Sequence, residues 1–411
     1  MKSERVFRII VLLGMTLLLA GCWNRRELKE LAIVSAIGID KTTKANEVKV
    51  TFQIINPSTV ATGIAGGAGG QQPAPVTVYS GTGETLFGAI RKTSQKVPRQ
   101  LFFAHMQLLI LGESYTREGI QDLFDFLERS DEVRLTTLVL VARESEAESL
   151  IRILTPLEKI PANSIAGKIK TSSKVWSESI KVEMDEVIRS LVSKGDPMIT
   201  GVKIAGDPKA GNKTTNIKQT NLPAQLDISG IALFKNGMLK RWLEGDEARG
   251  AVWLTNKMKS TIIDLDCNER KDAVGIEIVR SHTDIKAEIQ EREKPVFHIS
   301  IREEGNISEV RCPPMDISKV EEIMFLEAKW KTKTRKEVLA ALKAAQNERS
   351  DIFGFGEAVN RANPKAWKEM KQDWGAIFAE SKIDVKVDAY IRRSGMRLKP
   401  YMSEHEGTAN E

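Results

Sequence analysis

ISGIALFKNGMLKRWL, residues 228–243, decides how the second half of this 411-residue chain is built. Two apolar runs, Ile228 to Lys235 and Met238 to Leu243, flank Asn236-Gly237. Asn-Gly readily takes the left-handed backbone of a two-residue hairpin turn, so the stretch reads as an antiparallel hairpin. A helix from Arg249 to Leu254, carrying Trp253, closes this small unit. Four later stretches alternate at period two: Val274, Ile276, Ile278; Ile285, Ala287, Ile289; Phe297, Ile299, Ile301; and Ile383, Val385, Val387, Ala389, Ile391. Alternation leaves one face wet and predicts an antiparallel sheet.

Between the third and fourth stretches, Val320, Ile323, Met324 and Leu326 begin the apolar face of a long helix running toward Gln346. Ser318 and Glu321 have the spacing of its capping box. A second helix follows Pro364, with Trp367 and Trp374 on one face. Helices covering the apolar side of a sheet make this half α+β.

Working back toward the N-terminus, residues 205–223 hold only Ile217 and Leu222 as large apolar residues and read as a linker. The preceding half mixes strands and helices. Ile33 to Ile39 and Val48 to Ile54 alternate around a turn at Asp40 to Asn46, which predicts a hairpin. Val76 to Ser80 is a strand feeding a glycine turn and a helix. Phe102 to Leu111 suits one buried strand, and Leu135 to Ala142 another. Ile120, Leu123, Phe124 and Leu127 mark an amphipathic helix started near Arg117. Ser145 and Glu148 form a capping box ahead of Leu150, Ile151 and Leu154, and Val187 to Val192 is helical up to Gly195, before a last strand from Met198 to Ile204.

The expected organisation is thus a mixed strand-helix N-terminal domain at 31–204 with a mobile loop at 63–75, a linker at 205–223, a small hairpin and helix unit at 224–270, an α+β domain at 271–395 and a tail at 396–411.

Composition removes several functions. Hydrophobic residues make up 41%, which excludes general disorder. Cys22, Cys267, Cys312, His105, His282, His298 and His405 are too dispersed for a local metal motif. The net charge of +6 includes two units from the first 21 residues, a weak basis for nucleic-acid binding. The glycines at 63–70 lack the lysine of a phosphate loop. Gly81-Thr82-Gly83-Glu84-Thr85-Leu86 has leucine where a dinucleotide fingerprint needs its third glycine. His105 reads as a core or capping histidine, and Asp264 and Asp266 as solvent-facing carboxylates on one side of a strand. Cys267 and Cys312 read as two buried thiols, with a bridge as the alternative. No cofactor site and no catalytic residue emerge.

The N-terminus is more specific. Lys2, Arg5 and Arg8 precede the uncharged run Ile9 to Ala20, the form of an export signal. Twelve helical residues span about 18 Å, short of a bilayer core of about 30 Å. Leu19-Ala20-Gly21-Cys22 resembles the lipobox of bacterial lipoproteins. Cleavage between Gly21 and Cys22 would remove residues 1–21, and a diacylglycerol on the Cys22 thiol would anchor the protein through a tether at 22–30.

Taken together, these residues resemble the Ger(x)C family, the C-subunit lipoproteins of spore nutrient-germinant receptors. The resemblance begins at the lipobox and Trp23, and continues through Arg26-Glu27-Leu28 to Ile37-Gly38-Ile39-Asp40. It resumes at Ser229 to Lys235, Arg249-Gly250 and Trp253-Leu254, and closes with Asp351-Ile352-Phe353-Gly354-Phe355-Gly356, Trp367, Trp374 and Ile391-Arg392. Asn24 stands where an acidic residue would be expected. The resemblance implies a non-enzymatic lipoprotein on the outer face of the spore inner membrane, assembled with integral-membrane A and B subunits. The competing readings are a solute-binding lipoprotein of a transport system and an anchored cell-wall hydrolase.

Overall fold

The computed structural model describes residues 27–61, 74–130, 132–193, 195–267, 270–289, 294–312 and 315–395, together with Glu4. The export segment, Gly21, Cys22, most of the glycine-rich loop and the tail at 396–411 lie outside the described residues.

After a 3-10 turn at Leu28–Glu30, the chain forms β1 (Leu31–Lys41), β2 (Val48–Ile55), α1 (Pro57–Ala61), β3 (Val76–Gly83), α2 (Leu86–Ser94), β4 (Gln100–Phe102) and β5 (Leu108–Gly112). Next come α3 (Glu113–Glu118), α4 (Gln121–Glu128), β6 (Leu138–Ala142), α5 (Ala147–Ile151), α6 (Pro161–Val175), α7 (Met184–Val192) and β7 (Met198–Gly206). The second half contains α8 (Pro208–Gly211), β8 (Ala224–Lys235), β9 (Met238–Leu243), α9 (Asp246–Leu254), β10 (Ile262–Cys267), β11 (Arg270–Glu288) and β12 (Val296–Val310). It ends with α10 (Val320–Asn347), α11 (Phe355–Ala362), α12 (Pro364–Met370), α13 (Trp374–Glu380) and β13 (Lys382–Arg393).

The first sheet has the order β3-β2-β1-β5-β6-β7-β8-β9, with β4 also paired to β1. Its centre, β1-β5-β6-β7, is parallel, and both flanks are antiparallel. Every residue of β5 and β6 is buried, as a strand covered on both faces must be. Leu109 and Leu111 join Leu123 and Phe124 on one face, while Leu108 and Ile110 join Leu150, Ile151, Ile165 and Ile169 on the other. The second sheet, β10-β11-β12-β13, coils around α10. Lys329 and Lys333 of α10 donate to the carbonyls of Asp266 and Asp264 on one edge strand. On the other edge, Arg335 donates to the Val385 carbonyl and Glu327 accepts from the Ile391 amide. These bonds occupy backbone groups that would otherwise recruit a foreign strand.

The α+β class holds, and several local expectations change. The 205–223 segment is ordered: fully buried Asn216 donates to the carbonyls of Leu154 and Ala224 and accepts from the Ala224 amide. One polar side chain thus does what apolar burial does elsewhere. β8 and β9 do not form a separate unit but complete the first sheet beside β7, and one hydrophobic core runs from Ile37 through Trp253 to Val387.

β13 pairs parallel to β12, because the chain returns through helices rather than a tight turn. The first two alternating stretches are one strand, β11, bent by register shifts near Gly275 and Val279 instead of broken by a turn. The run from Phe102 to Leu111 divides where Met106 turns back to the Phe103 carbonyl, with β4 pairing to the start of β1 and β5 to its middle. Gly81 and Gly83 lie within β3, where α2 packs so closely that a Cβ would meet Thr93 or the Ala89 backbone.

Neither capping box forms. Ser318 donates to Asp316 instead, and α5 is capped by Asp40. Trp367 and Trp374 stand on two helices, with their rings 5.2 Å apart. α6 matches no sequence expectation, its buried Ala162, Ile165 and Ile169 being diluted by Lys, Ser and Thr.

Candidate functional site

β1 enters the fold at Leu31, nine residues beyond Cys22 and therefore within about 30 Å of it even if fully extended. The neighbouring parallel strand β4 begins at Gln100, paired to Leu31. Gln100 and Leu101 also line a cleft of about 470 Å³ between α2 and α4. The cleft therefore reaches the end of the sheet at which β1 begins.

The walls of this cleft are Phe87, Ile90 and Arg91 on one side and Phe126, Leu127 and Arg129 on the other, with Ile37 and Phe103 beneath. Phe87 is 53% exposed, unusual for so large an apolar side chain beside a core. Its ring lies 6.4 Å from that of Phe126, and the Arg91 guanidinium sits 4.9 Å over its centroid. Arg129 pairs with Asp125 at 2.9 Å. Beyond the two rings a second cleft, of about 480 Å³, is lined by Glu84, Glu118 and Asp122. Buried Tyr115 also borders it, and burial pushes the phenol up to about 12, so it holds its proton at neutral pH. The first cleft thus carries Arg91, Arg129 and Glu132, the second Glu84, Glu118 and Asp122, and the two aromatic rings stand between them. Such a surface can seat an apolar side chain and pair charges of both signs around it. Among the described residues that line the clefts there is neither histidine nor cysteine, and hence no imidazole base or thiol nucleophile.

The other sequence candidates do not converge. His105 is exposed and packs edge-on against Phe102, so it is not a core histidine. His298 lies on the wet sheet face, 3.2 Å from Glu288 and 3.7 Å from Asp384. Asp266 is exposed and Asp264 half-buried, and Asp266 of β10 accepts from the Asp272 amide of the neighbouring strand β11. Cys267 and Cys312 form a disulfide, which corrects the reading as two thiols. Burial alone could not separate the two readings, because a bridged cysteine is as apolar as a buried thiol. No group of three His, Cys, Asp or Glu side chains among the described residues is placed to hold a metal ion. No helix among them is long and apolar enough to cross a membrane.

Sequence reasoning missed the buried carboxylates. Asp40 accepts the amides of Ala147 and Glu148 at 2.7 and 2.9 Å, yet burial raises it to about 6. Burial likewise raises Asp351. Glu303 is pushed up to about 8 by burial, against the pull of the Thr334 hydroxyl that donates to it at 3.2 Å. Neighbouring Glu337 is raised by burial too, although it pairs with Arg249 at 2.9 Å and accepts from Trp253 at 3.0 Å. For Asp40 the available signal was a carboxylate set inside an apolar strand, Ile37-Gly38-Ile39-Asp40.

Two family descriptions match this chain in order. "Spore germination protein N-terminal domain" covers residues 24–204, and "Spore germination B3/ GerAC like, C-terminal" covers residues 229–395. The chain belongs to the GerAC-like spore germination family. A member of that family, spore germination protein KC of Bacillus subtilis (strain 168), is 37% identical over 404 residues, 97% of this chain and 98% of the relative. Spore germination protein B3 of the same organism is 24% identical over 390 residues, 94% of this chain and 96% of the relative. The crystal structure of the GerBC protein matches with a TM-score of 0.53 and 20% identity, over 87% of this chain and 96% of that one, which establishes the shared GerAC-like fold.

Proposed function

We propose that this GerAC-like protein is a non-catalytic subunit of a spore germinant receptor, exported, cleaved between Gly21 and Cys22, and lipid-anchored through Cys22 on the outer face of the spore inner membrane. It works by assembling with the integral-membrane A and B subunits. The observation that carries this reading is the pair of family matches spanning the chain in order, behind a lipobox sequence at Leu19 to Cys22. The paired clefts around Phe87 and Phe126 support it, because an exposed aromatic among charges of both signs, at the end of the sheet where β1 begins, suits a protein partner held at the same membrane.

Metabolic labelling with a palmitate analogue tests the anchor: Cys22→Ala loses the label and leaves the membrane, and a labelled Cys22→Ala protein refutes it. Phe87→Asp tests assembly, with normal abundance but loss of co-purified membrane subunits and of nutrient-triggered germination. Normal recovery of both excludes the clefts as the contact. Titration of the protein with pooled amino acids and sugars separates this reading from a solute binder, which would bind at micromolar concentration without partners.

A further inference from the structure

One edge of the second sheet, β10, is covered only in part. The Thr261 carbonyl accepts from the Ile278 amide at 2.9 Å across the β10–β11 pair, so odd-numbered residues at this end of β10 bond to β11. In an antiparallel pair the amide and carbonyl of one residue point the same way, so Ile262 and Asp264 present both groups to the open edge. Their carbonyls are met by cations: Arg249 of α9 donates to Ile262 at 3.3 Å and Lys333 of α10 to Asp264 at 3.1 Å, and Lys329 extends the row to Asp266 at 2.8 Å. Their amides meet no acidic side chain of α10, which lines this edge with Phe325, Ala328, Lys329, Thr332, Lys333 and Lys336. On the opposite edge, by contrast, Glu327 takes the Ile391 amide. Between α10 and β10 runs a groove of about 420 Å³. From Phe325 to Lys336 the helix rises about 16 Å, the length of about five extended residues. Phe325, 42% exposed, stands at one end with the Lys329 ammonium 4.7 Å over its ring. The two carboxylates that also border the groove reach toward β11: Asp266 accepts from the Asp272 amide at 3.0 Å, and a Cβ on Gly275 would stand 3.7 Å from Asp264 Oδ1.

We propose that this groove receives an extended acidic segment of a partner chain, added to β10 as a further strand. The amides of the segment replace Lys329 and Lys333 at the carbonyls of Asp266 and Asp264, and its carbonyls accept from the amides of Ile262 and Asp264. The released ammonium groups, together with Lys336, pair with its carboxylates. Main-chain bonds then supply affinity, and the lysines supply the choice of an acidic sequence. The lysine caps exchange readily, because an ammonium on a flexible four-carbon stem at a surface is held by a fraction of a kilocalorie to about 1 kcal/mol. The groove is separate from the clefts around Phe87, and the proposal does not rest on the receptor reading.

The test uses the full chain in detergent and a fluorescent hexapeptide of alternating glutamate and valine. This peptide binds, its lysine–valine counterpart does not, and binding weakens as salt rises. An added strand bonds to β10 through alternate residues only, so methylating the amides of the glutamates or of the valines has unequal effects: one methylated peptide binds about tenfold more weakly and the other is nearly unchanged. With the peptide bound, hydrogen exchange slows about tenfold at Ile262 and Asp264 and stays the same at Ile263 and Leu265, which already pair with β11. Lys329→Glu with Lys333→Glu abolishes binding, whereas Lys365→Glu with Lys368→Glu on α12 leaves it intact. The methylated pair needs no variant, so its outcome stands even if the first variant fails to fold. Absence of binding at millimolar peptide, equal binding of the two methylated peptides, or unchanged exchange at Ile262 and Asp264 overturns the proposal. Binding to phosphatidylglycerol vesicles without binding of the peptide, lost with the same reversal of Lys329 and Lys333, assigns the groove to a lipid surface and overturns it too.

Discussion

Trp374 donates its indole N–H to Oδ2 of Asp351 at 2.8 Å, within the core of the second half. The same carboxylate accepts from the amides of Gly354, Phe355 and Gly356 at 2.7 to 2.9 Å, which are the orphan donors at the start of α11. Asp351→Ala leaves three buried donors and the half-buried Gly354 amide without a partner and costs about 3 kcal/mol or more. Trp374→Phe removes one donor and some packing, and costs less. Urea denaturation of the two variants gives this order, and a near-neutral Asp351→Ala would remove the cap from the account of this half.

Glu303 makes stability depend on pH in a stated direction. Its folded value of about 8 lies above the ordinary 4.5, so between these the folded state keeps a proton that the unfolded chain has lost. Stability from this group is therefore complete below about pH 4.5 and declines as pH rises toward 8, by an amount on the order of a few kcal/mol. Glu303→Gln retains an acceptor for Thr334 and removes the titration. Denaturation midpoints at pH 5 and pH 8 differ less for the variant than for the parent, and equal differences would sink the assignment.

Gly250 sets how closely α9 approaches α10. A Cβ there would stand 2.1 Å from the Glu337 carbonyl oxygen and 2.8 Å from the Ala341 side chain. Gly250→Ala forces the helices apart and costs about 2 to 3 kcal/mol. Gly167 in α6 is the contrasting case, with nothing within 4 Å, so Gly167→Ala gains up to about 1 kcal/mol from helix propensity. Thermal melts of the two variants move in opposite directions.

The Cys267–Cys312 bridge closes a loop across a sequence separation of 45. Cys267→Ser with Cys312→Ser is expected to cost about 2 to 4 kcal/mol, and reductant should lower the stability of the parent while leaving the double variant unchanged. Sensitivity of both proteins to reductant would count against the bridge.

The elements most legible in the sequence are those whose partners lie close by. The β1–β2 hairpin follows from alternation on either side of one turn, and Asn236-Gly237 takes positive φ at both residues as its composition implies. The paired clefts were not legible, because α2 and α4 each look like ordinary amphipathic helices. Phe87 and Phe126 become a site only when the sheet sets the helices side by side.

Side-chain period and the backbone preferences of near neighbours were enough for the β1–β2 and β8–β9 hairpins, for the buried runs of β5 and β6 and for the α+β class. Only the tertiary structure decided that β8 and β9 finish the first sheet, that β13 runs parallel to β12, and that Asp40 caps α5 from 107 residues away. Those contacts carry no local periodicity. They are selected when the whole chain closes its long loops, because each one leaves a buried amide, carbonyl or carboxylate with a partner that no neighbour in sequence could supply.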